Sequence, residues 1–274
     1  MKHPRIAVCL TINDRPRQVL EAVFESLSRQ SYDQLIVVFD RTPKPLREWC
    51  ESFWSRFKRD ARMESVEIAG PAAWRCPAKA WNTAFDRVNS ELTFVLSSET
   101  IQGRDNVELA RDILKDKPGV LFGKAECSCG PDGEEVNWGG TAPGNLLTDA
   151  AHPRPLGFVM CLPTWMIRAT GGMDEGFMAG WWYDDDDWMY RLWQLGQPFY
   201  FDDSVTGLHQ HHDRPVLASA EGAEGIERNR RYIVSKWGME RPLSSCRVQL
   251  EKGNGATVMR PVLDSQRHGS ILTA

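Results

Sequence analysis

The sequence has no strong excess of charge of either sign and no apolar run long enough to cross a bilayer. Its 33 Lys and Arg residues stand against 37 Asp and Glu residues, for a formal net charge of −4. The sequence therefore lacks the basic excess of a dedicated nucleic-acid binder. The longest uncharged apolar stretch, Pro155 to Ile167, is shorter than a membrane-spanning helix and is interrupted by proline. We expect no transmembrane segment.

Cysteine pairs with metal-binding or redox spacing are also missing. Seven Cys, an odd number, are scattered over 274 residues, and only one residue separates Cys127 from Cys129. The apolar run that follows Arg5 ends at Asn13, which is too early for the hydrophobic region of a signal peptide. These features lead us to expect reduced thiols and a cytoplasmic location.

The composition that is present indicates a folded α/β protein. Hydrophobic residues make up 42% of the chain and charged residues 26%, which is enough apolar material for a sizeable core. The length favours one large domain, or one domain with an appended lobe. The sequence also holds 11 Trp, which either pack in the core or line pockets and interfaces.

In the first hundred residues, apolar strand-like runs alternate with amphipathic helix-like stretches. Strands are predicted at Arg5–Thr11, Leu35–Phe39, Val66–Ile68 and Leu92–Leu96, with helices beginning near Asp14, Leu46 and Pro77. This alternation predicts a mainly parallel, Rossmann-like sheet with helices on both faces. Ligands of such sheets bind beyond the carboxyl ends of the strands. Those ends carry Thr11–Asn13, Asp40–Arg41 and Ser97–Glu99.

After Arg104 the pattern becomes less regular. A helix and a strand are predicted up to Ala125, followed by a Gly- and Pro-rich segment, Cys127 to Pro155, that we expect to form loops around a substrate site. Further on, the predicted elements are a helix at Asp184–Leu195, strands at Phe199–Phe201 and Val205–His209, and a helix at Ile226–Trp237. From Gly253 onward no sustained period is visible, which favours a tail or strap.

Four consecutive aspartates, Asp184 to Asp187, follow the aromatic run Trp181 to Tyr183 at the predicted start of a helix. Acids at a helix N-terminus gain about 0.3–1 kcal/mol each from the macrodipole, and Asp187 with Arg191 forms an i,i+4 ion pair. That structural explanation covers one or two of the acids, whereas four adjacent carboxylates repel one another. Neighbouring aromatic rings desolvate a carboxylate and raise its pKa, as a general base requires. We therefore favour a catalytic role.

Three histidines, His209, His211 and His212, lie within four positions at a predicted strand end. On a regular extended chain, His209 and His211 share one face and His212 takes the other, so at most two can reach one ion. A lone histidine is usually an ordinary polar residue, and this pattern alone leaves metal binding open. The turn Thr11 to Pro16 can hold a base or a phosphate, but it is a weaker signal.

Taken together and in this order, these segments resemble the family-2-like glycosyltransferases of the GT-A fold, from about Arg5 to Asp213. The segment Thr11-Ile12-Asn13-Asp14-Arg15-Pro16 is similar to the family's T-x-N-R-P turn with one residue inserted. Gly171 to Phe177 resembles the family's G-G-F/M-D-E-x-F motif. The acidic helix, from Asp184 through Gly196, resembles E-D-x-D-x-x-x-R-L-x-x-x-G and is most like that of the galactosyltransferase branch.

The resemblance implies a GT-A fold with a smaller acceptor-side lobe. Residues 1–104 would form the nucleotide-sugar-binding half, residues 105–240 the acceptor-binding and catalytic half, and residues 241–274 a C-terminal tail or strap. The implied base is Asp185. The implied acceptor-binding residues are Asp184, Trp181 and Trp182, and the implied donor-binding residues are Thr11, Asn13, Arg15, Asp40, Lys79, Asn82 and Ser97.

Besides the inserted residue in the Thr11 turn and Asp184, which stands where the family has Glu, two motifs depart from the family pattern. Ala80-Trp81-Asn82-Thr83-Ala84 has Trp where the family's A-R-N-x-A/G motif has Arg, and Lys79 is the candidate to supply the missing charge. The family's metal-binding D-x-D motif reads Ser97-Ser98-Glu99, so its first acid is absent. The resemblance implies that Glu99 and His209, which precedes a Gln as the family's late histidine does, hold Mn²⁺ or Mg²⁺ together with phosphate oxygens.

The expected activity is an inverting transfer of a sugar from a nucleotide-diphosphate donor, with a UDP-sugar favoured, to a hydroxyl group. The acceptor would belong to a glycan, lipid, protein or modified nucleic acid. One alternative is a non-catalytic relative that binds a sugar nucleotide or glycan, which Ser97 supports. Another is an enzyme acting on modified DNA or protein, for which Arg214, Arg228, Arg230 and Arg231 would form a local basic face.

Overall fold

In the described part of the chain, eleven strands form one sheet. The structure is a computed structural model and describes residues 3–57, 63–70, 75–128, 145–212, 219–238 and 248–261. The strands are β1 (Ile6–Ile12), β2 (Gln34–Asp40), β3 (Met63–Ile68), β4 (Leu92–Ser97), β5 (Thr100–Gln102), β6 (Val120–Cys127), β7 (Leu146–Thr148), β8 (Val159–Pro163), β9 (Phe199–His209), β10 (Val248–Lys252) and β11 (Ala256–Pro261).

Seven α-helices and one short 3-10 helix connect the described strands. The helices are α1 (Arg17–Leu27), α2 (Lys44–Trp54), α3 (Ala78–Phe85), α4 (Asn106–Leu114), α5 (Thr164–Thr170), α6 (Asp184–Gln194) and α7 (Ala220–Trp237). The 3-10 helix spans Glu175–Ala179. Several helices begin where the sequence predicts, for example α1 directly after Pro16, which has the extended backbone typical of a residue before a helix.

The strand order is β10-β11-β9-β6-β8-β4-β1-β2-β3, with β5 pairing to β9 and β7 to β6 at the side. Along the main path β8 and β11 run against the other strands, and β1 pairs in parallel with both β2 and β4. The prediction of a mainly parallel sheet is therefore confirmed. Because parallel strands end at one edge, the loops that follow β1, β2 and β4 lie together.

Helices cover both faces of the sheet, as the sequence predicts. In β1, Ala7 and Cys9 belong to the core shared with α3, α5, α6 and α7, while Val8 and Leu10 belong to the core shared with α1, α2 and α4. All four side chains are completely buried. A strand buried on both faces reads as a continuous apolar run, which explains why β1 and β2 could be recognised from sequence.

The C-terminal half departs from the predicted elements in several places. The two predicted strands at 199–209 are one strand, β9, whose pairing with β6 shifts register between Gly123 and Lys124. Helix α5 was not predicted, and α7 begins at Ala220 rather than Ile226. Instead of a tail, residues 248–261 form an antiparallel hairpin that extends the sheet from β9. Most of the predicted loop segment Cys127 to Pro155 lies outside the described residues.

No helix among the described residues is both long and apolar enough to cross a membrane. Each cysteine in the described ranges (Cys9, Cys50, Cys76, Cys127 and Cys161) is buried and free of disulfide bonds.

Candidate active site

A cleft of about 570 Å³ opens at the carboxyl edge of the parallel strands. The parallel register sets Thr11 of β1 beside Ser97 of β4, and Asp40 is the last residue of the neighbouring strand β2. The N-terminus of α6 closes the other side of the cleft with Asp184 and Asp185. The sheet therefore brings together groups that are far apart in the sequence.

Most of the residues singled out from the sequence line this cleft. They are Thr11, Asn13, Arg15, Asp40, Ser97, Glu99, Trp181, Trp182, Asp184 and Asp185. Lining the cleft is the geometric condition for contact with a bound ligand. The individual roles assigned to these residues remain predictions.

Lys79 and Asn82 lie on α3 and are not among the cleft-lining residues. Lys79 is within 3.4 Å of the Glu175 carboxylate. The Asn82 amide accepts a hydrogen bond from the backbone of Met173 at 2.8 Å and donates to Glu175 at 3.0 Å. Both side chains thus connect α3 to the segment after Gly172. The structure does not bring them to the predicted donor site.

Glu99 is the centre of a charged network at the floor of the cleft. Arg15 donates a hydrogen bond from Nε to Oε1 of Glu99 at 2.5 Å, and the Ser97 hydroxyl donates to Oε2. Burial alone would raise the pKa of Glu99, but the Arg15 guanidinium, the Ser97 hydroxyl and two nearby imidazoles hold it at about 2. Glu99 is therefore ionised, and the Ser97 hydroxyl orients its carboxylate.

Two histidines complete a cluster with Glu99. One ligand atom from each of Glu99, His209 and His212 lies within 4.8 Å of the others. Thr100 of β5 pairs with His209 at the end of β9, which sets His209 next to Glu99. The His209 ring also contacts Cys127, with Sγ 3.5 Å from Nδ1, and the edge of Phe158. His209 thus lies where the sequence predicted a metal ligand, although its role as a ligand stays a prediction.

The second histidine of the cluster is His212, whereas the regular-strand argument paired His209 with His211. Strand β9 ends at His209, and residues 210–212 belong to no strand, so the alternation of side chains no longer applies. His212 Nε2 lies 3.8 Å from Glu99 Oε1, whereas His211 is exposed. The alternation of a regular strand, which would set His211 beside His209 and His212 on the other face, therefore does not hold here.

The metal predicted from the sequence was Mn²⁺ or Mg²⁺, and the cluster fits the first better. One carboxylate and two imidazoles give a mixed oxygen and nitrogen set, while Mg²⁺ prefers oxygen ligands and water. Three protein ligands also leave positions for the phosphate oxygens of a donor.

Asp184 and Asp185, the first two residues of α6, have carboxyl groups whose pKa values are raised. Burial raises the pKa of both carboxyls, and their mutual repulsion raises that of Asp184 further. The buried Cys76 thiol forms a hydrogen bond with Asp184. Asp185 is exposed to the cleft, yet the surrounding protein still removes much of its water, and Oδ1 accepts a hydrogen bond from the Asp186 backbone at 2.9 Å. A carboxylate with a raised pKa that faces the cleft has the properties of a general base.

Asp187, the last of the four aspartates, has a structural role. Its side chain is completely buried and accepts hydrogen bonds from Arg191 at 2.8 Å and from the Trp237 indole at 2.8 Å. Lys236 lies 2.7 Å from the same carboxylate. Asp187 therefore ties α6 to α7, as its i,i+4 spacing to Arg191 partly predicted.

Asp40 lies in the cleft at the predicted nucleoside position and is already paired. Arg41 donates from Nε and Nη2 to the two carboxylate oxygens of Asp40, at 2.7 and 2.9 Å. Arg41 adopts a left-handed backbone with φ of 53°, which folds its side chain back over Asp40. A carboxylate has lone pairs beyond those two bonds, so Asp40 can still accept a hydrogen bond from a ligand.

The aromatic approach to α6 is held in a strained backbone conformation. Trp182 and Tyr183 have φ of 64° and 67°, values that non-glycine residues rarely adopt. The buried Asn229 amide donates hydrogen bonds at 3.0 Å to the carbonyls of Phe177 and Trp182, which pins this segment to α7. Such strain is typical of functional sites and is maintained only by surrounding contacts.

The sequence reasoning missed Arg75, Cys76 and Pro77, which also line the cleft. They lie between β3 and α3, and this connection also passes over the carboxyl edge of the sheet. The rule that pointed to the ends of β1, β2 and β4 therefore applied here too. The predicted strand Val66–Ile68 ends at the same residue as β3, so the sequence already contained the signal for this connection. Arg214, one of the residues proposed for a basic face, lies outside the described residues.

The described part of the proposed basic face is largely neutralised. Arg230 and Arg231 both donate to the carboxylate of Glu227, at 2.6 and 2.8 Å. Arg228 is the member of this group for which the described residues supply no carboxylate partner. The part of the face that the structure describes therefore does not offer the run of free cations that nucleic acid requires.

Solved glycosyltransferases share this architecture at low sequence identity. The mannosyltransferase PcManGT from Pyrobaculum calidifontis, solved in complex with GDP-Man and Mn²⁺, has a TM-score of 0.59 and 14% identity, covering 85% of this chain and 65% of its own. GalNAc-T7, with UDP, GalNAc and Mn²⁺, has a TM-score of 0.56 and 12% identity, covering 86% and 49%. Residues 1–349 of S. aureus TarS, in complex with UDP, have a TM-score of 0.53 and 11% identity, covering 86% of this chain and 73% of their own.

Neither protein-family models nor curated protein sequences give a match to this chain. The chain also spans less than two thirds of the length of the first two solved structures. What the likeness establishes is the fold: this protein has the GT-A fold, as the order of its sequence motifs predicted.

Proposed function

We propose that this protein transfers a sugar from a nucleotide-diphosphate donor to an acceptor hydroxyl with inversion at the anomeric carbon. One observation carries the proposal: a single cleft holds Asp40, Glu99 and the raised-pKa pair Asp184 and Asp185. These groups match the three tasks of such a transfer, which are nucleoside binding, diphosphate binding and proton removal.

Asp185 acts as the base in this proposal. It takes the proton from the acceptor hydroxyl as that oxygen attacks the anomeric carbon, and the sugar–diphosphate bond breaks on the opposite side. A raised pKa strengthens Asp185 as a base, because a more basic carboxylate takes the acceptor proton more readily. Asp184, buried behind it and bonded to Cys76, positions the acceptor through its remaining lone pairs.

The diphosphate lies against Glu99, His209 and His212, which would hold the divalent ion. The ion, when bound, supplies a Lewis acid that stabilises the departing diphosphate. Arg15 lies beside the same carboxylate and presents a second cation to the phosphates. Asp40, paired with Arg41, accepts from the nucleoside.

The donor is a UDP- or GDP-sugar, and we favour UDP. Complexes of the structurally similar proteins contain UDP in two cases and GDP-Man in one, together with Mn²⁺ in PcManGT and GalNAc-T7. Those ligands belong to those proteins, and for this chain they define the first compounds to test.

Thermal denaturation with a panel of UDP- and GDP-sugars, in Mn²⁺ and in EDTA, tests donor binding directly. A ligand that binds only the folded protein raises its Tm. At a ligand concentration of 100 times the Kd, the free energy of unfolding increases by about 2.7 kcal/mol. The donor that binds is then incubated with Mn²⁺, and release of free nucleotide is measured with the wild type and with Asp185→Asn. The absence of any stabilising donor would refute the proposal.

A non-catalytic sugar-nucleotide binder is the second candidate. Ser97 in place of an acid and the pairing of Arg15 with Glu99 favour it, because both reduce the acidic ligands open to a metal. The same experiment separates the two functions. If both the wild type and Asp185→Asn bound the donor and neither released nucleotide at any Mn²⁺ concentration, the result would favour the non-catalytic binder.

A further inference from the structure

A second cavity of about 720 Å³ adjoins the candidate active site along α7. It is hereafter called the α7 groove and is lined by Arg75, Ala179, Trp181, Glu221, Glu224, Gly225, Glu227, Arg228 and Arg231. Trp181 and Arg75 line both the groove and the cleft. A molecule that enters the cleft beside Asp185 can therefore continue over Trp181 into the groove.

The position of Trp181 is fixed by glycine. Its backbone N–H donates to the carbonyl of Gly225 at 3.2 Å. A Cβ at Gly225 would lie 2.7 Å from Cδ1 of the Trp181 ring, and one at Gly180 would lie 2.4 Å from the Gly225 carbonyl. Glycine inside a helix costs roughly 0.5–1 kcal/mol relative to alanine. Gly225 lowers the helix propensity of α7, but its missing side chain leaves space for the Trp181 indole between the two cavities.

The charges of the groove are balanced. Its lining holds three arginines and three glutamates, and several are already paired, as Arg75 is with Glu221 and Arg231 with Glu227. A polyanion such as nucleic acid needs a surplus of cations, which the described lining does not offer. Guanidinium and carboxylate groups do supply donors and acceptors for hydroxyl groups. The lining therefore fits a neutral, hydroxyl-rich chain.

An aromatic ring next to such polar groups matches the two sides of a sugar ring, which presents C–H groups on its faces and hydroxyls around its edge. Apolar surface combined with a few placed polar groups is the general character of small-molecule sites. We infer that the α7 groove binds the continuation of a neutral oligosaccharide acceptor, so that the acceptor class is a chain of several sugars. This inference rests on the proposed transferase function.

The test uses the whole protein without nucleotide. The probes are methyl glycosides and the corresponding di- and tetrasaccharides of the gluco, N-acetylgluco, galacto and manno series, with binding measured by saturation-transfer NMR and calorimetry. In at least one series we expect the tetrasaccharide to bind about tenfold or more tightly than the methyl glycoside, because a few added hydrogen bonds at about 1 kcal/mol each give that gain.

Two groove variants locate the gain. Gly225→Ala displaces the Trp181 ring and strengthens the helix propensity of α7. Arg228→Ala removes a groove cation for which the described residues supply no carboxylate partner. Both should lose the length-dependent gain. Arg104→Ala, an exposed arginine outside both cavities, is the matched control and should retain it.

Each remaining outcome overturns the inference. These outcomes are no gain with length in any series, a gain that survives in both groove variants, and tighter binding of a heparin tetrasaccharide or a single-stranded oligonucleotide than of every neutral probe. Calorimetry with UDP and GDP is run in parallel. Nucleotide binding without oligosaccharide binding refutes the groove alone, whereas oligosaccharide binding without nucleotide binding refutes the proposed transfer.

Discussion

Arg15 and Glu99, 84 residues apart in the sequence, share a hydrogen bond of 2.5 Å between Nε and Oε1 at the floor of the cleft. Oε1 is also the atom that lies nearest His212, at 3.8 Å. A divalent ion held by Glu99 and the histidines must therefore compete with the Arg15 guanidinium for the same oxygen. If Glu99 and the histidines bind a metal as proposed, Arg15 and that metal would compete for one carboxylate oxygen.

We predict that Arg15→Ala raises the affinity for Mn²⁺ measured without nucleotide. Hydrogen bonds between charged groups contribute about 1.5–3 kcal/mol, so removing this competitor corresponds to a gain of about 10- to 100-fold. The same variant should bind UDP more weakly in EDTA, because the second cation facing the diphosphate is lost. Isothermal titration calorimetry measures both quantities.

Arg15→Lys is the control for charge, since lysine retains the cation and should keep the Mn²⁺ affinity low. If Arg15→Ala bound Mn²⁺ more weakly than the wild type, then Arg15 would support the metal site and the competition would be disproved.

The cluster geometry predicts that both His209 and His212 contribute to metal binding. We expect His209→Ala and His212→Ala each to weaken Mn²⁺-dependent donor binding by about 10- to 100-fold, a range typical of changes around metal sites. His211→Ala is the control, because His211 is exposed and outside the cluster. Electron paramagnetic resonance of titrated Mn²⁺ measures binding directly. If His212→Ala weakened Mn²⁺ binding no more than the control His211→Ala does, His212 would not be a ligand.

Asp185→Asn should keep the fold and the donor affinity while lowering kcat by at least about 100-fold, the usual contribution of a positioned general base. The loss belongs in kcat because the proton moves only as the acceptor attacks. Asp186→Asn serves as the control, since Asp186 is not among the cleft-lining residues. Near-normal turnover by Asp185→Asn would transfer the role of base to Asp184.

The parallel half of the fold could be predicted from sequence because its strands are buried on both faces and read as apolar runs. The hairpin of β10 and β11 could not, because every residue of β10 is exposed and its sequence carries no burial pattern. Its position depends on pairing with β9, which is a tertiary contact.

The candidate site shows the same division. Residue types at strand ends pointed to Asp40 and Glu99 because sheet topology alone brings those ends together. The approach of His212 depends on the path of the chain after β9 ends at His209, and the contact of Arg15 with Glu99 depends on the reach of the arginine side chain. Neither follows from periodicity, so the residues were found from sequence while their connections were not.

The ionisation of Asp184 should reduce the stability of the folded protein at neutral pH. Burial and the Asp185 charge raise the pKa of Asp184 in the fold, whereas an unfolded aspartate has a pKa of about 3.9. Between those two pKa values Asp184 is protonated in the folded state and ionised in the unfolded state. Its contribution to the free energy of unfolding is therefore fully present below the unfolded pKa and is lost as pH rises through the folded pKa. Asn cannot ionise, and Asp184→Asn should therefore unfold at higher temperature than the wild type.

For a domain of this size 1 kcal/mol corresponds to roughly 2–4 °C in Tm, so calorimetry at pH 5 and pH 8 resolves the effect. The advantage of Asp184→Asn should be larger at pH 8 than at pH 5. Asp187→Asn is the opposite control: Arg191 and Lys236 would lose a buried ionic partner, and its Tm should fall. If Asp184→Asn were less stable than the wild type at pH 8, the ionised Asp184 carboxylate would stabilise the fold. The conclusion that the fold raises the pKa of Asp184 would then be contradicted.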